Sequence, residues 1–101
     1  MQPSLKFITV DVSGLAPPEP MTVILKHLAT LTHQECLLVK HRRQPFPLYE
    51  KLNDAGFSYH CVVHAQNDID LYIFHQRSQN LFDELFNETL ERNGINKGNN
   101  R

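Results

Sequence analysis

The stretch FSYHCVVHAQNDIDLYIFH, residues 57–75, decides the fold class of this chain. It contains two runs rich in β-branched and aromatic residues, 57–64 and 69–75, and a short polar segment separates them. This pattern is typical of two antiparallel strands joined by a tight turn. We therefore expect a β-hairpin in the second half of the chain, with residues 65–68 as its loop.

Two more strands and two helices are predicted before this hairpin. Residues 5–10 and 36–39 are apolar runs of strand length. Residues 18–31 carry apolar side chains at helical spacing, which predicts an amphipathic helix. A second, shorter helix should begin near Pro47 and end before Gly56, because proline suits a first helical turn and glycine follows a last one. The predicted order β-α-β-α-β-β is an α+β fold, with two helices on one face of a four-stranded sheet.

A third helix is predicted at the C-terminal end, from about Asn80 to Asn93. Asn80 and Asp83 form an N-cap pair in this interpretation, and Gly94 is the stop signal. The stripe on one side of this helix is too apolar to face water, and consists of Leu81, Phe82, Leu85, Phe86 and Leu90.

We expect this stripe to pack on its own domain or on a second copy of the chain. The first alternative covers the open face of the sheet, and the second is a homodimer. The domain organisation predicted from these patterns is a core over residues 1–77, the added helix over 78–94 and a disordered tail over 95–101.

Composition excludes several classes of protein. The net charge of −1 argues against sequence-independent binding to nucleic acid, which needs a basic surface. No apolar run approaches the length of a membrane span, and the first residues lack the pattern of a signal peptide. Cys36 and Cys61 form no C-x-x-C motif, which favours free thiols in a reducing compartment. We therefore expect a cytoplasmic protein that binds neither nucleic acid nor membrane.

Two proline-rich segments stand out in the remaining loops. The first is DVSGLAPPEPM, residues 11–21, and the second is PFPLY, residues 45–49. Together they resemble a bacterial family of unknown function related to the TusA/SirA-like sulfur carriers, whose members carry Gly-Leu-x-Pro-Pro-Glu-Pro and Pro-x-Pro-Leu-Tyr. The resemblance covers residues 11–74 and implies a TusA-like two-layer α/β sandwich. The chain departs from the family at residues 42–44, where arginine and glutamine stand in place of acidic residues.

The resemblance also implies which chemistry has been lost. Sulfur carriers of this type keep a cysteine at the position of Pro17, where the helix N-terminus favours the thiolate. A proline ring cannot hold a persulfide, so we expect no sulfur transfer at this position. An anion site at the same helix end is also disfavoured, since Pro17, Pro18 and Pro20 supply no N–H and Glu19 adds a negative charge.

The two proline segments have a structural and a functional interpretation. In the structural one, Asp11 caps the loop, Gly14 adopts a positive φ, and the prolines stiffen the entry into the helix. In the functional one, the segments form a rigid ledge that binds a protein partner or a small ligand. An ion pair from Arg42 or Arg43 to Glu19 is expected if both loops share one edge of the sheet. The candidate binding residues are Asp11, Gly14, Pro17, Pro18, Glu19, Pro20, Arg42, Arg43, Pro45, Pro47 and Tyr49.

The six histidines raise the possibility of a metal site. His60 and His64 share a strand face, but they lie about 13 Å apart along an extended strand, which is too far for one ion. His41 and His75 are the other weak candidates. We expect surface histidines instead, and neither a metal nor another cofactor.

These observations favour a non-enzymatic binding or accessory module. No Ser-His-Asp order, nucleotide-binding loop or paired catalytic carboxylates indicate an enzyme. Two alternatives stay open at this point. One is a redox or sulfur-relay component that uses Cys36 or Cys61, although Cys61 is better interpreted as a core residue. The other is a metal or haem binder built from the histidines.

Overall fold

The computed structural model describes residues 4–93, with side chains over residues 4–87, and it confirms the predicted α+β fold. The element order is β-α-β-α-β-β followed by a C-terminal helix. Gly94, the segment 95–101 and the side chain of Leu90 lie outside the described part of the chain, so the predictions made for them stay predictions. The elements are β1 (Lys6–Asp11), α1 (Glu19–Leu28), β2 (Glu35–His41), α2 (Phe46–Asp54), β3 (Phe57–Ala65), β4 (Asp68–His75), a 3₁₀ turn (Gln76–Ser78) and α3 (Gln79–Asn93).

The four strands form one mixed sheet in the order β1-β2-β4-β3. β1 pairs with β2 in parallel, from Lys6 opposite Glu35 to Asp11 opposite Lys40. β4 pairs antiparallel with β2 on one side and with β3 on the other. Because β1 and β2 run in the same direction, both strands end at the same edge of the sheet. The two proline loops therefore leave the sheet next to each other.

The main core lies between the sheet and the two helices α1 and α2. Ile24 of α1 and Leu48 of α2 are fully buried, and they pack with Leu37 of β2 and Leu71 of β4. Each such side chain stabilises the fold by about 1.5–3 kcal/mol through removal of apolar surface from water. This core fixes both helices on one face of the sheet, as the sequence pattern predicts.

The third helix packs on the opposite face of the same sheet. Phe82 of α3 stacks on Phe74 of β4 with ring centroids 4.3 Å apart, and Leu5 and Cys36 complete this second cluster. Leu81, Leu85 and Phe86 are half-buried against it. The helix thus contacts its own sheet, and a homodimer through the same stripe stays a prediction.

Hydrogen bonds tie the start of this helix to the loop before β2. His75 Nε2 donates to the carbonyl of Leu31 at 2.8 Å, and the Ser78 hydroxyl donates to the carbonyl of His33. The spacing predicts an end near Leu31, but α1 ends at Leu28. The amides of Thr30 and Leu31 bond to the carbonyls three residues back, those of His27 and Leu28, so the α-helical pattern stops there. Leu31 is still buried, and its carbonyl accepts the hydrogen bond from His75 at the end of β4.

Several element boundaries differ from the predicted ones. The hairpin loop is shorter than predicted, because Ala65 already pairs with Asp68 and Asn67 takes a positive φ of 63°. α3 begins at Gln79, so Asn80 lies inside the helix and is not its N-cap. The 3₁₀ turn leads directly into the helix and removes the need for a cap at that point. Gly56 ends α2 with a φ of 87°, as predicted.

Among the residues described, no helix is long and apolar enough to span a membrane.

Replacing Phe82 with alanine tests the packing of α3 on the sheet. The ring is 2% exposed, so we expect the free energy of unfolding to fall by about 3–5 kcal/mol, the range for large-to-small changes in a core. Phe46→Ala is the matched control, because Phe46 is 66% exposed and its loss should cost about 1 kcal/mol or less. Urea unfolding of both variants provides the measurement. Equal losses in the two variants would contradict the packing.

Candidate functional site

The first proline loop begins with a turn held by Asp11. Its carboxylate oxygen Oδ1 accepts hydrogen bonds from the Ser13 backbone N–H at 2.9 Å and from the Ser13 hydroxyl at 2.6 Å. These two bonds lower the pKa of Asp11 below its ordinary value. Gly14 does not take the positive φ that the sequence predicts, since Gly56 is the positive-φ glycine of the described chain. The Asp11 turn reverses the chain without it, and a Cβ at Gly14 would meet no atom within 4 Å.

The two loops enclose a small cavity at the shared edge of the sheet. Its volume is about 90 Å³. Pro17 and Pro20 line it together with Arg42 and Arg43, so residues at or before the start of α1 meet residues that precede α2 here. Pro18 at the end of the first loop and Glu19 at the start of α1 are exposed without lining the cavity. The complete lining is Val12, Leu15, Pro17, Pro20, His41, Arg42 and Arg43.

The expected ion pair between these arginines and Glu19 is absent. Within the described chain, an ion pair joins Lys40 to Asp70 and His64 contacts the same carboxylate, and no ion pair involves Arg42 or Arg43. The second loop is held instead by hydrogen bonds from its backbone amides to His41. Both arginine guanidinium groups are therefore left without an acidic partner from residues 4–87.

His41 organises the backbone beneath the two arginines. Its Nδ1 accepts hydrogen bonds from the backbone N–H of Arg42 at 2.8 Å and of Arg43 at 3.3 Å. Burial and the positive charges of Arg42 and Arg43 lower the pKa of His41 below its ordinary value. The ring is therefore neutral at pH 7 and, with Nδ1 as acceptor, carries its proton on Nε2.

The second proline loop presents an aromatic side chain that the sequence analysis missed. Phe46, between Pro45 and Pro47, is the most exposed large hydrophobic side chain in the described chain, at 66%. Its ring meets that of Tyr49 edge-on, with centroids 5.7 Å apart. Proline on both sides of an aromatic residue at the start of a helix was the signal for this exposure.

Tyr49 belongs to the support of this loop. Its hydroxyl donates to Gln44 Oε1 at 3.0 Å, and its ring stacks on Tyr59 of β3 at 4.1 Å. Burial raises the pKa of the Tyr49 hydroxyl well above its ordinary value. These contacts fix the orientation of α2 and thereby hold Phe46 at the surface.

Neither cysteine has the surroundings of a reactive thiol. Cys36 is fully buried, and burial raises its pKa to about 12. Burial also raises the pKa of Cys61, and the hydrogen bond to Tyr49 opposes this effect without reversing it. Both groups are thiols and not thiolates at neutral pH, which is unfavourable for nucleophilic or redox chemistry.

The four histidines considered as metal ligands are dispersed over the molecule. Within the part of the chain that the structure describes, no three histidine, cysteine or acidic side chains are arranged to hold a metal ion. Each ring has its own partner: the amides of the following residues for His41, the ring of Phe86 for His60, the carboxylate of Asp70 for His64 and the carbonyl of Leu31 for His75.

A charged network on the sheet face opposite α1 and α2 was not predicted. Asp70 has a side chain that is only 10% exposed, and it accepts hydrogen bonds from Lys40 Nζ at 2.8 Å and His64 Nε2 at 2.9 Å. The strand register shifts between Val63 and Ala65, so His64 is the extra residue of a β-bulge. Burial alone would raise the pKa of Asp70, but the bonds from Lys40 and His64 outweigh it and lower that pKa.

The chain matches one protein family, described as Uncharacterized conserved protein (DUF2249), over residues 9–75. The match covers both proline loops, the second half of β1 and all of β2, β3 and β4, so the chain belongs to this family. α3 begins after the matched segment. No curated protein and no solved structure matches the chain.

Replacing Asp70 with asparagine tests the charged network. The lowered pKa of Asp70 means that its contribution to stability is present above the ordinary carboxyl pKa, near 4, and is lost as pH falls through the lower folded value. We expect the variant to be less stable by about 1–2 kcal/mol at pH 7, and the difference from wild type to shrink below pH 4. Urea unfolding from pH 3 to 7 measures this, with Asp68→Asn as control. A difference that is independent of pH, or the same in both variants, would contradict the network.

Proposed function

We propose that this member of the DUF2249 family is a non-enzymatic binding module that contacts a protein partner at the edge where β1 and β2 end. We call this region the proline-loop surface, and its residues are Pro17, Pro18, Arg42, Arg43, Phe46 and Pro47. The observation that carries the proposal is the meeting of both loops around one cavity, with two arginines that have no acidic partner in the described chain.

The chemistry of this surface supports a protein partner. Arginine and aromatic residues are enriched at protein interfaces and dominate their binding energy. Phe46 is exposed in the free chain, although a side chain of this kind gains about 1.5–3 kcal/mol when it is buried. We propose that a partner buries this ring at the start of α2.

The rigidity of the two loops supports binding as well. Prolines restrict the backbone, so little conformational entropy is lost when a partner docks. The Asp11 turn and the bonds to His41 hold the loops further. A surface that is ordered before binding retains more of the interaction energy as affinity.

A relation to the TusA/SirA-like sulfur carriers is part of this proposal and rests on the proline motifs alone. Pro17 stands where such carriers keep their cysteine, so the family chemistry has no nucleophile at this position. The raised pKa of both thiols also gives no support to a redox or sulfur-relay role elsewhere in the chain. We therefore propose that the loop serves recognition instead.

Site-specific photo-crosslinking tests the proline-loop surface. A benzoylphenylalanine at position 46 should give a discrete cross-linked protein product in extracts of the native host, whereas the same group at position 25 on α1 should not. An excess of unlabelled wild-type chain should suppress the product, because it competes for the partner. An equal excess of the Phe46→Ala chain should suppress it at least tenfold less effectively.

Three outcomes would contradict the proposal. One is the same set of products from positions 46 and 25, and another is no product from position 46. The third is equal competition by the wild-type and Phe46→Ala chains. Because Leu25 is also exposed, at 41%, the comparison between the two positions controls for nonspecific contact.

A further inference from the structure

We infer that the cavity between the two proline loops receives the carboxylate of a glutamate or aspartate side chain of the partner protein. The inference rests on the proposed function, because the acidic side chain is supplied by the protein that docks on the proline-loop surface. It adds the chemistry by which that partner is recognised.

The size of the cavity restricts its occupant. Its volume of about 90 Å³ is smaller than the roughly 150 Å³ of an apolar cavity that binds benzene. That space holds a carboxylate with one or two methylene groups. It does not hold an aromatic ring system, a nucleotide or a haem, which leaves a short side chain or a very small acid as the group that enters.

The lining matches both halves of an acidic side chain. Arg42 and Arg43 both line the cavity. A guanidinium is a planar fork that matches carboxylate oxygens and pairs with them in bidentate geometry. Neither forms an ion pair within the described chain, so no internal acid has to be displaced. Val12, Leu15 and the prolines supply apolar walls for the methylene stem.

The neighbouring backbone explains why the arginine side chains must perform this recognition. The N-terminus of α1 offers few donors, because Pro17, Pro18 and Pro20 have no N–H. The amides of Arg42 and Arg43 are occupied by His41 Nδ1. Since that nitrogen is the acceptor of the neutral ring, the remaining ring nitrogen is a donor and does not repel an anion.

Two features favour a partner side chain over a free anion. A free acid of this size would fill the cavity and leave the exposed Phe46 and Pro47 uncovered. Inorganic phosphate would fit the arginines but not the apolar walls formed by Val12 and Leu15. An acidic residue carried by a protein satisfies the cavity and the surrounding surface together.

An NMR titration of the full ¹⁵N-labelled chain tests the inference. The probe is N-acetyl-glutamate methylamide, and its glutamine counterpart is the neutral control of the same shape. We expect saturable shifts from the glutamate probe at the amides of residues 12–16 and 41–43, with at least tenfold weaker binding of the glutamine probe. The double variant Arg42→Gln/Arg43→Gln should lose at least tenfold in affinity, while Lys26→Gln on α1 should bind as wild type does.

Acetate and inorganic phosphate serve as further probes in the same titration. Phosphate binding at the cavity as tightly as the glutamate probe would overturn the assignment to a carboxylate side chain. So would the absence of saturable shifts at this site, equal shifts with the glutamine probe, or unchanged binding in the double arginine variant. Weaker binding of acetate than of the glutamate probe would show that the methylene groups and the capped backbone of the probe add to its affinity.

The outcome separates this inference from the proposed function. Cross-linking from position 46 does not depend on the charge of the group in the cavity. Suppose that the cross-link forms and the wild-type chain competes for it, but the glutamate probe does not bind. The inference of an acidic side chain is then wrong, and the proposed protein-binding surface is still supported. If the probe binds and the cross-link fails, the cavity is an anion site and the protein-binding function is wrong.

Discussion

The parallel pairing of β1 with β2 is the constraint on which the rest of the structure depends. It brings the ends of both strands, Asp11 and His41, to one edge of the sheet. Two segments that lie about 25 residues apart in the sequence therefore become neighbours, and the cavity forms where they meet. An antiparallel pairing of the same strands would place the two proline loops at opposite edges, and neither a cavity nor a shared surface would exist.

The two faces of the sheet have separate tasks in this arrangement. α1 and α2 bury the main core and set the positions of the proline loops, since each helix begins directly after its loop. α3 lies outside the segment that matches the family, and it packs on the other face through Phe82. The Asp70 network occupies that same face, between Lys40 and His64. Changes to α3 or to the network should therefore affect stability more than recognition at the loops.

The order of elements could be predicted from the sequence because it depends on local patterns. The two runs of the hairpin, the spacing of apolar residues in α1 and the glycine after α2 each act within a few residues. Predictions failed where a distant group decided the outcome. The bulge at His64, for example, depends on the pairing of β3 with β4. The sequence predicted that Pro17 and Arg43 lie close together only if both loops share one edge of the sheet, and the direction of the strands decides this. The exposure of Phe46 was missed, although the prolines on both sides of it were a local signal.

The most direct test of this account is a measurement of the direction in which β1 and β2 pair. Nuclear Overhauser contacts across these strands should follow the parallel register, linking Phe7 with Cys36 and Asp11 with Lys40. Contacts that instead link Lys6 with Lys40 and Asp11 with Glu35 would indicate an antiparallel pair. That result would separate the two proline loops and contradict the site built from them.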